Sequence, residues 1–148
     1  MDMRLAGPTL LSLLLAAAGA ANAASPAQVL GLKLQDSSTD PSIAHMRLVV
    51  ETHTLRPGRV TIQAENQSKT LVHEVFVVRD SGAKELPFDA KQDRVIEARI
   101  RSLGEIADLA PGKTGKLTLN LKAGTYLLIC NQPGHYKDGM AAKVTVAR

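Results

Sequence analysis

The sequence predicts an all-β domain, a sandwich of two packed sheets, and three observations support this prediction. From about Gln28 onward, short apolar runs alternate with polar residues at a period of two. Gly, Pro, Asn and Asp interrupt these runs at short intervals, and helical periodicity is scarce. This alternation gives each strand one apolar face, and a second sheet is needed to cover that face.

Six segments are predicted as strands, and a seventh carries a weaker signal. The six are residues 46–54, 59–65, 71–79, 116–121, 125–130 and 141–147, and the weaker one is 29–34. In the second of these, Val60, Ile62 and Ala64 alternate with polar residues and share one face. Turn-forming residues separate the strands at 56–58, 66–68, 110–112 and 122–124.

The segment 80–109 is predicted as a polar loop followed by a strand. Ile96, Ala98 and Ile100 alternate as in a strand, but Ile96, Ile100 and Leu103 also suit one face of a helix. Periodicity does not separate the two structures over so short a run.

Residues 1–23 have the pattern of a signal peptide. Arg4 precedes an apolar stretch at 10–18, which is followed by small residues ending in Ala21-Asn22-Ala23. The stretch is shorter than the roughly 20 residues that span a membrane, and its Ala and Leu content is poor material for an internal strand. We therefore expect cleavage after Ala23, export to the periplasm, and a mature domain of residues 24–148 with no transmembrane segment and no lipoprotein anchor.

The charge of the chain is small, and it argues against nucleic acid as a partner. The net charge is +4, and loss of Asp2 and Arg4 with the leader leaves it unchanged. Basic residues are scattered along the sequence, there is no Trp, and Tyr and Phe number two each. Stacking on bases needs aromatic side chains, so the composition indicates at most a mild preference for acidic partners.

The sequence near the C-terminus predicts a metal site. Cys130, His135 and Met140 are separated by four residues each, and Pro133 and Gly134 favour a turn between them. A loop that leaves one strand at Cys130 and rejoins another near residue 141 brings its ends together. Thiolate, imidazole and thioether together favour copper. An unpaired cysteine in an exported protein also suggests that something occupies the sulfur.

A second histidine has to come from elsewhere in the chain, and His73 is the best candidate. It shares a predicted strand face with Val75 and Val77, as Cys130 does with Leu128. Two inward-facing donors at the ends of neighbouring strands can meet at one end of a sandwich. His45 and His53 are expected on the surface. Taken singly, Cys, His and Met are more often ordinary core residues, but together they favour one copper held by His73, Cys130, His135 and Met140.

The stretch from about 66 to 148 resembles the cupredoxins, particularly the plastocyanin, azurin and rusticyanin-like group. The resemblance rests on Asn66, His73 and the motif Cys130-Asn131-x-Pro133-Gly134-His135-x4-Met140, preceded by Gly124-Thr125-Tyr126. It implies an eight-stranded Greek-key β-sandwich with copper at one end. It also implies that His135 lies near the surface as the electron entry point, and that Pro133, Gly134 and Met140 border an apolar docking patch.

One residue departs from the family pattern. Many small cupredoxins have Asn after the first histidine, where its side chain ties the two copper loops together, and here the residue is Glu74. We expect Glu74 to accept hydrogen bonds from Asn131 or from backbone amides instead. Its charge bears on the potential and colour of the site.

A copper site whose positions are all occupied by four protein ligands leaves no place for a substrate, which favours an electron carrier over an enzyme. Multicopper oxidases and nitrite reductases need further histidines, a binuclear site needs two cysteines, and no base-orienting set accompanies a Cys-His nucleophile. The expected partners of a carrier are cytochromes or oxidases. The alternative is periplasmic copper handling, that is storage, tolerance or delivery to copper-trafficking proteins through the same site. A metal-free interaction domain is the third possibility.

Overall fold

The structure is a computed structural model that describes residues 27–36 and 46–148. The predicted signal peptide at 1–23 and the surface position predicted for His45 lie outside the described residues. Within the described part of the chain, no helix has the length and apolar character needed to cross a membrane.

Eleven strands follow one another along the described residues. In chain order they are β1 (Gln28–Asp36), β2 (Met46–Val50), β3 (Thr54–Leu55), β4 (Gly58–Asn66), β5 (His73–Arg79), β6 (Phe88–Asp89), β7 (Arg94–Val95), β8 (Ser102–Leu109), β9 (Thr114–Leu121), β10 (Gly124–Ile129) and β11 (Ala141–Val146). Four of them form one sheet in the order β2-β1-β4-β9, and five form a second in the order β3-β11-β10-β5-β8. The predicted all-β, Greek-key sandwich is confirmed.

The core lies between the two sheets and follows the predicted alternation. Val60, Ile62 and Ala64 of β4 are fully buried, as are Val75 and Val77 of β5 in the facing sheet. Full burial of an aliphatic side chain of this kind contributes about 1.5–3 kcal/mol. The weaker predicted strand at 29–34 lies within β1, whose inward leucines belong to the same core.

Strand β5 is buried on both faces, because the segment between β5 and β8 covers its outer side. Phe76 and Val78 point away from the main core and pack with Leu86, Val95 and Ile129 in a second apolar cluster. Six of the seven residues of β5 are buried as a result. The covering segment also brings Val95 next to the C-terminal loop.

The predicted strand at 46–54 is wrong in one respect, since it is two strands in different sheets. Strand β2 pairs with β1, and the amide of Glu51 still donates to the carbonyl of Gly31 at 3.0 Å. The chain then turns, and β3 pairs in parallel with β11 of the other sheet. The turn is held by Thr52, whose hydroxyl accepts from the Thr54 amide at 3.3 Å. This break gives nine sandwich strands instead of the eight that the resemblance implied.

The prediction for 80–109 is confirmed as a loop followed by a strand, but the strand lies later than Ile96 and Ile100 indicated. Glu97–Arg99 forms a single 3₁₀ turn, and β8 begins at Ser102. Within β8 the pairing with β5 shifts twice, and Gly104 and Asp108 have φ values of 152° and 41°. Because of these irregularities, buried and exposed residues do not alternate regularly along β8, and its sequence lacks the period-two pattern of strands such as β4.

Candidate metal centre

The C-terminal loop closes on itself at one end of the sandwich. Strand β10 ends at Ile129, which pairs with Ala141 at the start of β11. The amide of Cys130 donates to the carbonyl of Met140 at 3.0 Å. The two ends of the loop are therefore adjacent, as the spacing of its donors predicted.

Main-chain hydrogen bonds inside the loop direct His135 back towards Cys130. Gly134 has a φ of 84°, in the left-handed region that favours glycine, and its amide donates to the carbonyl of Asp93 at 2.9 Å. The amide of His135 donates to the carbonyl of Gln132 at 3.0 Å, and the amide of Met140 donates to the carbonyl of His135 at 2.9 Å. The loop is compact and internally bonded.

Three of the four predicted ligands converge on one point. The Sγ atom of Cys130 lies 3.3 Å from Nδ1 of His135 and 3.8 Å from Nδ1 of His73. The two Nδ1 atoms are 3.1 Å apart. Cys130 and His73 have no exposed surface, and His135 is 8% exposed. These three residues are a candidate metal-binding group of the structure.

Met140 lies beside this group. Its side chain is fully buried and belongs to the same apolar cluster as Cys130. Its carbonyl accepts from the Cys130 amide, and its own amide bonds to His135. The main chain thus places Met140 next to two of the other predicted ligands, and its role as the fourth ligand stays a prediction.

Burial sets the protonation of the metal-free group. Burial, with a smaller contribution from the neighbouring His135, lowers the pKa of His73 to about 4. It also lowers the pKa of His135. Burial raises the pKa of the Cys130 thiol to about 11, although the amide of Glu74 donates to the sulfur at 3.4 Å. Both imidazoles are therefore neutral at neutral pH, and a metal has to displace the thiol proton.

The donors fit a copper ion. Two imidazole nitrogens and one sulfur, all buried, face a common centre, and this is the donor set of copper electron-transfer sites. Without a metal, two facing Nδ1 atoms share a single hydrogen bond, so one nitrogen must donate to the other. A metal ion would use the lone pairs of both nitrogens together with the thiolate.

His73 is held by Asn66, at the end of β4. The side-chain amide of Asn66 donates to the carbonyls of Leu71 and Leu109 at 2.9 and 2.7 Å. Its oxygen accepts from the amide of Ser68 at 2.9 Å. The segment leading to His73 is thus fastened to β4 and to the end of β8, and the sequence had indicated Asn66 only through the resemblance.

Ser68 and Asp36 provide a second anchor that the sequence did not reveal. The hydroxyl of Ser68 donates to Asp36 at 2.8 Å, and it accepts from the amides of Thr70 and Leu71 at 3.0 and 2.8 Å. Ser after Asn-x is typical of a turn, but its partner lies 32 residues earlier. By contrast, Nε2 of His73 has no hydrogen-bond partner among residues 27–36 and 46–148.

The expectation that Glu74 binds Asn131 or backbone amides is wrong. Asn131 instead donates to the carbonyl of Val95 and to Glu97, both at 3.0 Å, and accepts from the Val95 amide at 2.7 Å. Glu74 accepts from the side chain of Gln132 at 3.4 Å. The hydrogen bonds of Asn131 are made with the segment between β5 and β8 that covers β5. The bond between Glu74 and the His135 loop is therefore made by Gln132 instead of Asn131.

Glu74 is a buried carboxylate beside the centre. It is 8% exposed, and one of its oxygens has no partner in the described part of the chain. Burial raises the pKa of Glu74 to about 7, and the opposing effect of Arg94 is smaller. Arg94 also donates to the oxygen of Gln132 at 3.3 Å.

The surface over the centre differs in part from the expected docking patch. Pro133 is exposed, but Met140 has no exposed surface and forms no part of the patch. Val72, just before His73, is 39% exposed and was not predicted. His53 is exposed and donates from Nδ1 to the carbonyl of Lys143 at 2.8 Å, which confirms its surface position.

Solved structures with this fold include auracyanins and the copper protein rusticyanin. Reduced auracyanin from Roseiflexus castenholzii is 20% identical with a TM-score of 0.55, covering 84% of this chain and 99% of its own. Rusticyanin from Thiobacillus ferrooxidans is 21% identical with a TM-score of 0.57, covering 81% and 78%. Auracyanin B is 22% identical with a TM-score of 0.52, covering 82% and 89%. At this identity the likeness shows a shared fold.

The family of the chain follows from its sequence profile. Residues 38–147 match the model of copper binding proteins of the plastocyanin/azurin family. No curated protein matches the chain. The match covers most of the chain, including all four predicted ligands, and agrees with the buried group formed by His73, Cys130 and His135. The chain is therefore a member of the plastocyanin/azurin family of copper-binding proteins, a cupredoxin whose cofactor is copper.

Proposed function

We propose that this protein is an exported electron carrier that holds its copper through His73, Cys130, His135 and Met140. The observation that carries the proposal is the convergence of two imidazoles and one thiol within 3.8 Å of one another, all buried. Four protein donors around one ion leave no position for a substrate, so the proposed role is a carrier and not an enzyme.

The chain's own residues keep the centre nearly unchanged between redox states. Bound copper supplies a one-electron couple between Cu(I) and Cu(II). The hydrogen bonds of the 130–140 loop and of Asn66 hold the donors close together before any metal is present. Little movement is then needed on electron transfer. Burial excludes water and bulky reactants from Cys130 and His73.

His135 offers the route out of the protein. It has the largest exposed fraction of the three converging donors, at 8%. Exposed Val72 directly precedes His73, and exposed Pro133 lies two residues before His135. A partner that contacts this surface reaches the imidazole edge without entering the core. We propose redox proteins such as cytochromes or oxidases as partners, and the periplasm as the location, the latter on the signal-peptide pattern of residues 1–23. Related structures described as reduced auracyanin and reduced rusticyanin support a redox role.

The test begins with an anaerobic Cu(II) titration of the exported protein, followed by visible absorption and electron paramagnetic resonance. We expect an intense thiolate-to-copper band that saturates at one copper per chain. Cys130→Ala should abolish the band, and His53→Ala, which removes a surface histidine, should leave it intact. A band that survives Cys130→Ala would refute the ligand assignment.

The carrier role is then tested by voltammetry and self-exchange kinetics. A reversible one-electron potential with fast self-exchange is the expected result. Irreversible reduction, with release of Cu(I) to a competing chelator, would refute the carrier and favour copper delivery through the same ligands.

A further inference from the structure

The sandwich has two ends of different chemistry. Strands β1 and β4 run towards the copper centre, ending at Asp36 and Asn66, whereas β5 runs away from it and ends at Arg79. The opposite end is therefore formed by the turn before β4, the turn between β9 and β10, the end of β5 and the residues after β11. We call this end the basic pole.

Six cationic side chains belong to the basic pole: Arg56, Arg59, Arg79, Arg101, Lys122 and Arg148. Contacts place them together although they are far apart in the sequence. Lys122 and Arg148 line one shallow depression with Gly58 and Asn120, and Arg59 pairs with Asn120 in the sheet.

The remaining three cations join the same end through main-chain contacts. The guanidinium of Arg79 donates to the carbonyl of Ala123 at 3.2 Å, and its amide donates to the carbonyl of Arg101 at 3.3 Å. The amide of Ala147 donates to the carbonyl of Leu55 at 2.9 Å, which places the residues that follow them, Arg148 and Arg56, at the same end.

Carboxylates do not neutralise this pole within the described residues. The two ion pairs among the described residues join Lys137 to Glu85 and Lys143 to Asp80, and neither includes a cation of the pole. Asp80 is the acidic residue next to the pole, and Lys143 holds it at 3.0 Å. Acidic residues gather instead near the copper centre: Asp36, Glu74, Asp93, Glu97 and Asp108 contact the ligand-bearing segments or their anchors. The fold thus gathers these carboxylates near the copper centre, where Arg94 also lies, and the six cations at the opposite end.

Two further observations indicate which anionic surface the pole meets. Leu103, 40% exposed, follows Arg101 by two residues, so an aliphatic side chain accompanies the cations. The side chain of Gln28 donates to the carbonyl of Arg56 at 2.7 Å and accepts from its amide at 2.8 Å. The beginning of β1, the first strand after the predicted signal peptide in the sequence, therefore lies at this pole.

We propose that the basic pole docks on the anionic phosphate headgroups of a membrane and so turns the copper centre away from the lipid. Five of the six cations are arginines, whose planar guanidinium matches phosphate oxygens. They are spread over the end of the sandwich and do not line a deep pocket, which suits a surface of many headgroups. Described aromatic side chains that could stack on bases are absent from the pole's exterior, since Tyr126 is buried. The proposal does not depend on the electron-carrier role.

The test uses the protein as isolated after export, with its N-terminus checked by mass spectrometry. Co-sedimentation is measured with vesicles of phosphatidylcholine alone and of an equal mixture with phosphatidylglycerol, at low and physiological salt. We expect binding to the anionic vesicles only, weakened by salt. Arg59→Glu combined with Lys122→Glu should weaken it by at least about tenfold.

The matched control is Lys33→Glu combined with Lys116→Glu. These exposed residues lie on the outer face of the four-stranded sheet, and the double change alters the net charge equally. The control should bind the vesicles nearly as the wild type does, and unfolding curves verify that both variants fold. Equal loss in both pairs, or no binding of the wild type to anionic vesicles, would overturn the proposal. Displacement from the vesicles by millimolar inorganic phosphate at constant ionic strength would also overturn it, since that indicates a site for a single ion.

Orientation is tested on the copper-loaded protein bound to anionic vesicles. A soluble uncharged reductant should reduce the bound protein at least as fast as it reduces the wild type in the presence of phosphatidylcholine vesicles at the same salt concentration. A strongly slowed reduction would show that the copper centre faces the lipid and would refute the proposed orientation.

Discussion

The two segments that carry the copper ligands are built in opposite ways. The loop at 130–140 contains three predicted ligands within eleven residues, and it is closed by hydrogen bonds between its own main-chain atoms. The segment before His73 supplies one ligand and depends on Asp36, Asn66 and Leu109, which belong to three other strands. The support of a ligand can therefore be predicted from the sequence where it is local, and cannot where it is distant.

Asn66→Ala, which removes a distant support of His73, should have the largest effect. It leaves the buried carbonyls of Leu71 and Leu109 and the amide of Ser68 without their partner. At about 1 kcal/mol for each lost bond, the free energy of unfolding should fall by about 3 kcal/mol. Urea unfolding of the copper-free protein measures this loss.

The same variant should bind copper at least about tenfold more weakly, because the support of His73 is lost while the 130–140 loop keeps its own bonds. Gln35→Ala, which removes an exposed hydrogen bond to Gln67, is the matched control and should change stability by less than about 0.5 kcal/mol. A loss no greater than that of the control would show that His73 does not depend on its distant anchors.

Glu74→Gln probes the side-chain bond between Glu74 and Gln132, which joins the two segments, and its effect depends on pH. The pKa of Glu74 is about 7 in the folded protein against an ordinary value of 4.5, so the unfolded chain releases the proton first as pH rises. Between these two values the wild type therefore loses stability with increasing pH. Gln keeps the bond to Gln132 and does not ionise.

We therefore expect Glu74→Gln to gain stability relative to the wild type between about pH 4 and about pH 8, by on the order of 2 kcal/mol. His73 affects the pH dependence of stability with the opposite sign, because its lowered pKa reduces stability as pH falls. Both proteins contain His73, so this effect cancels in the difference between them. Urea unfolding of the two copper-free proteins at both pH values measures the difference. A difference independent of pH would show that folding does not raise the pKa of Glu74.

Gly134→Ala should have the smallest effect, and it acts on the 130–140 loop and on the contact of this loop with Asp93. A Cβ atom at this position meets the carboxylate of Asp93 at 3.3 Å, and the φ of 84° strains any residue with a side chain. The expected loss of stability is about 1–2 kcal/mol. Thermal unfolding measures it, with Gly82→Ala as the control because Gly82 has a similar φ of 78° and open space around it.

If the turn at Gly134 positions His135, Gly134→Ala should shift the potential or the absorption band of the copper form. Gly82→Ala should change stability only. Identical spectra for both variants and the wild type would contradict the idea that the turn at Gly134 sets the position of His135.

The fold was predictable from the sequence wherever burial alternated regularly. Val60, Ile62 and Ala64 predicted β4 correctly, because a strand with one buried face has an apolar residue at every second position. Strand β8 was obscured, since its shifted pairing leaves only Ile106 and Leu109 buried. The break between β2 and β3 was missed because no Gly or Pro lies between residues 47 and 55.

The site was predictable in its ligands and not in their supports. Cys130, His135 and Met140 were found by spacing, and His73 by the face it shares with Val75. The bonds of Asn131 to Val95 and of Ser68 to Asp36 join residues 36 and 32 positions apart. Such pairs leave no local signal, since each partner alone is an ordinary polar residue in a turn or a strand.

The double burial of β5 has a consequence for how long copper stays in the protein. His73 begins a strand whose next five residues are buried, with one apolar cluster on each side. Backbone amides in such a strand exchange with solvent mainly when the whole domain opens. Loss of this ligand is then linked to global unfolding, so the lifetime of the bound metal is set by the kinetic stability of the sandwich and not by fraying at its edge.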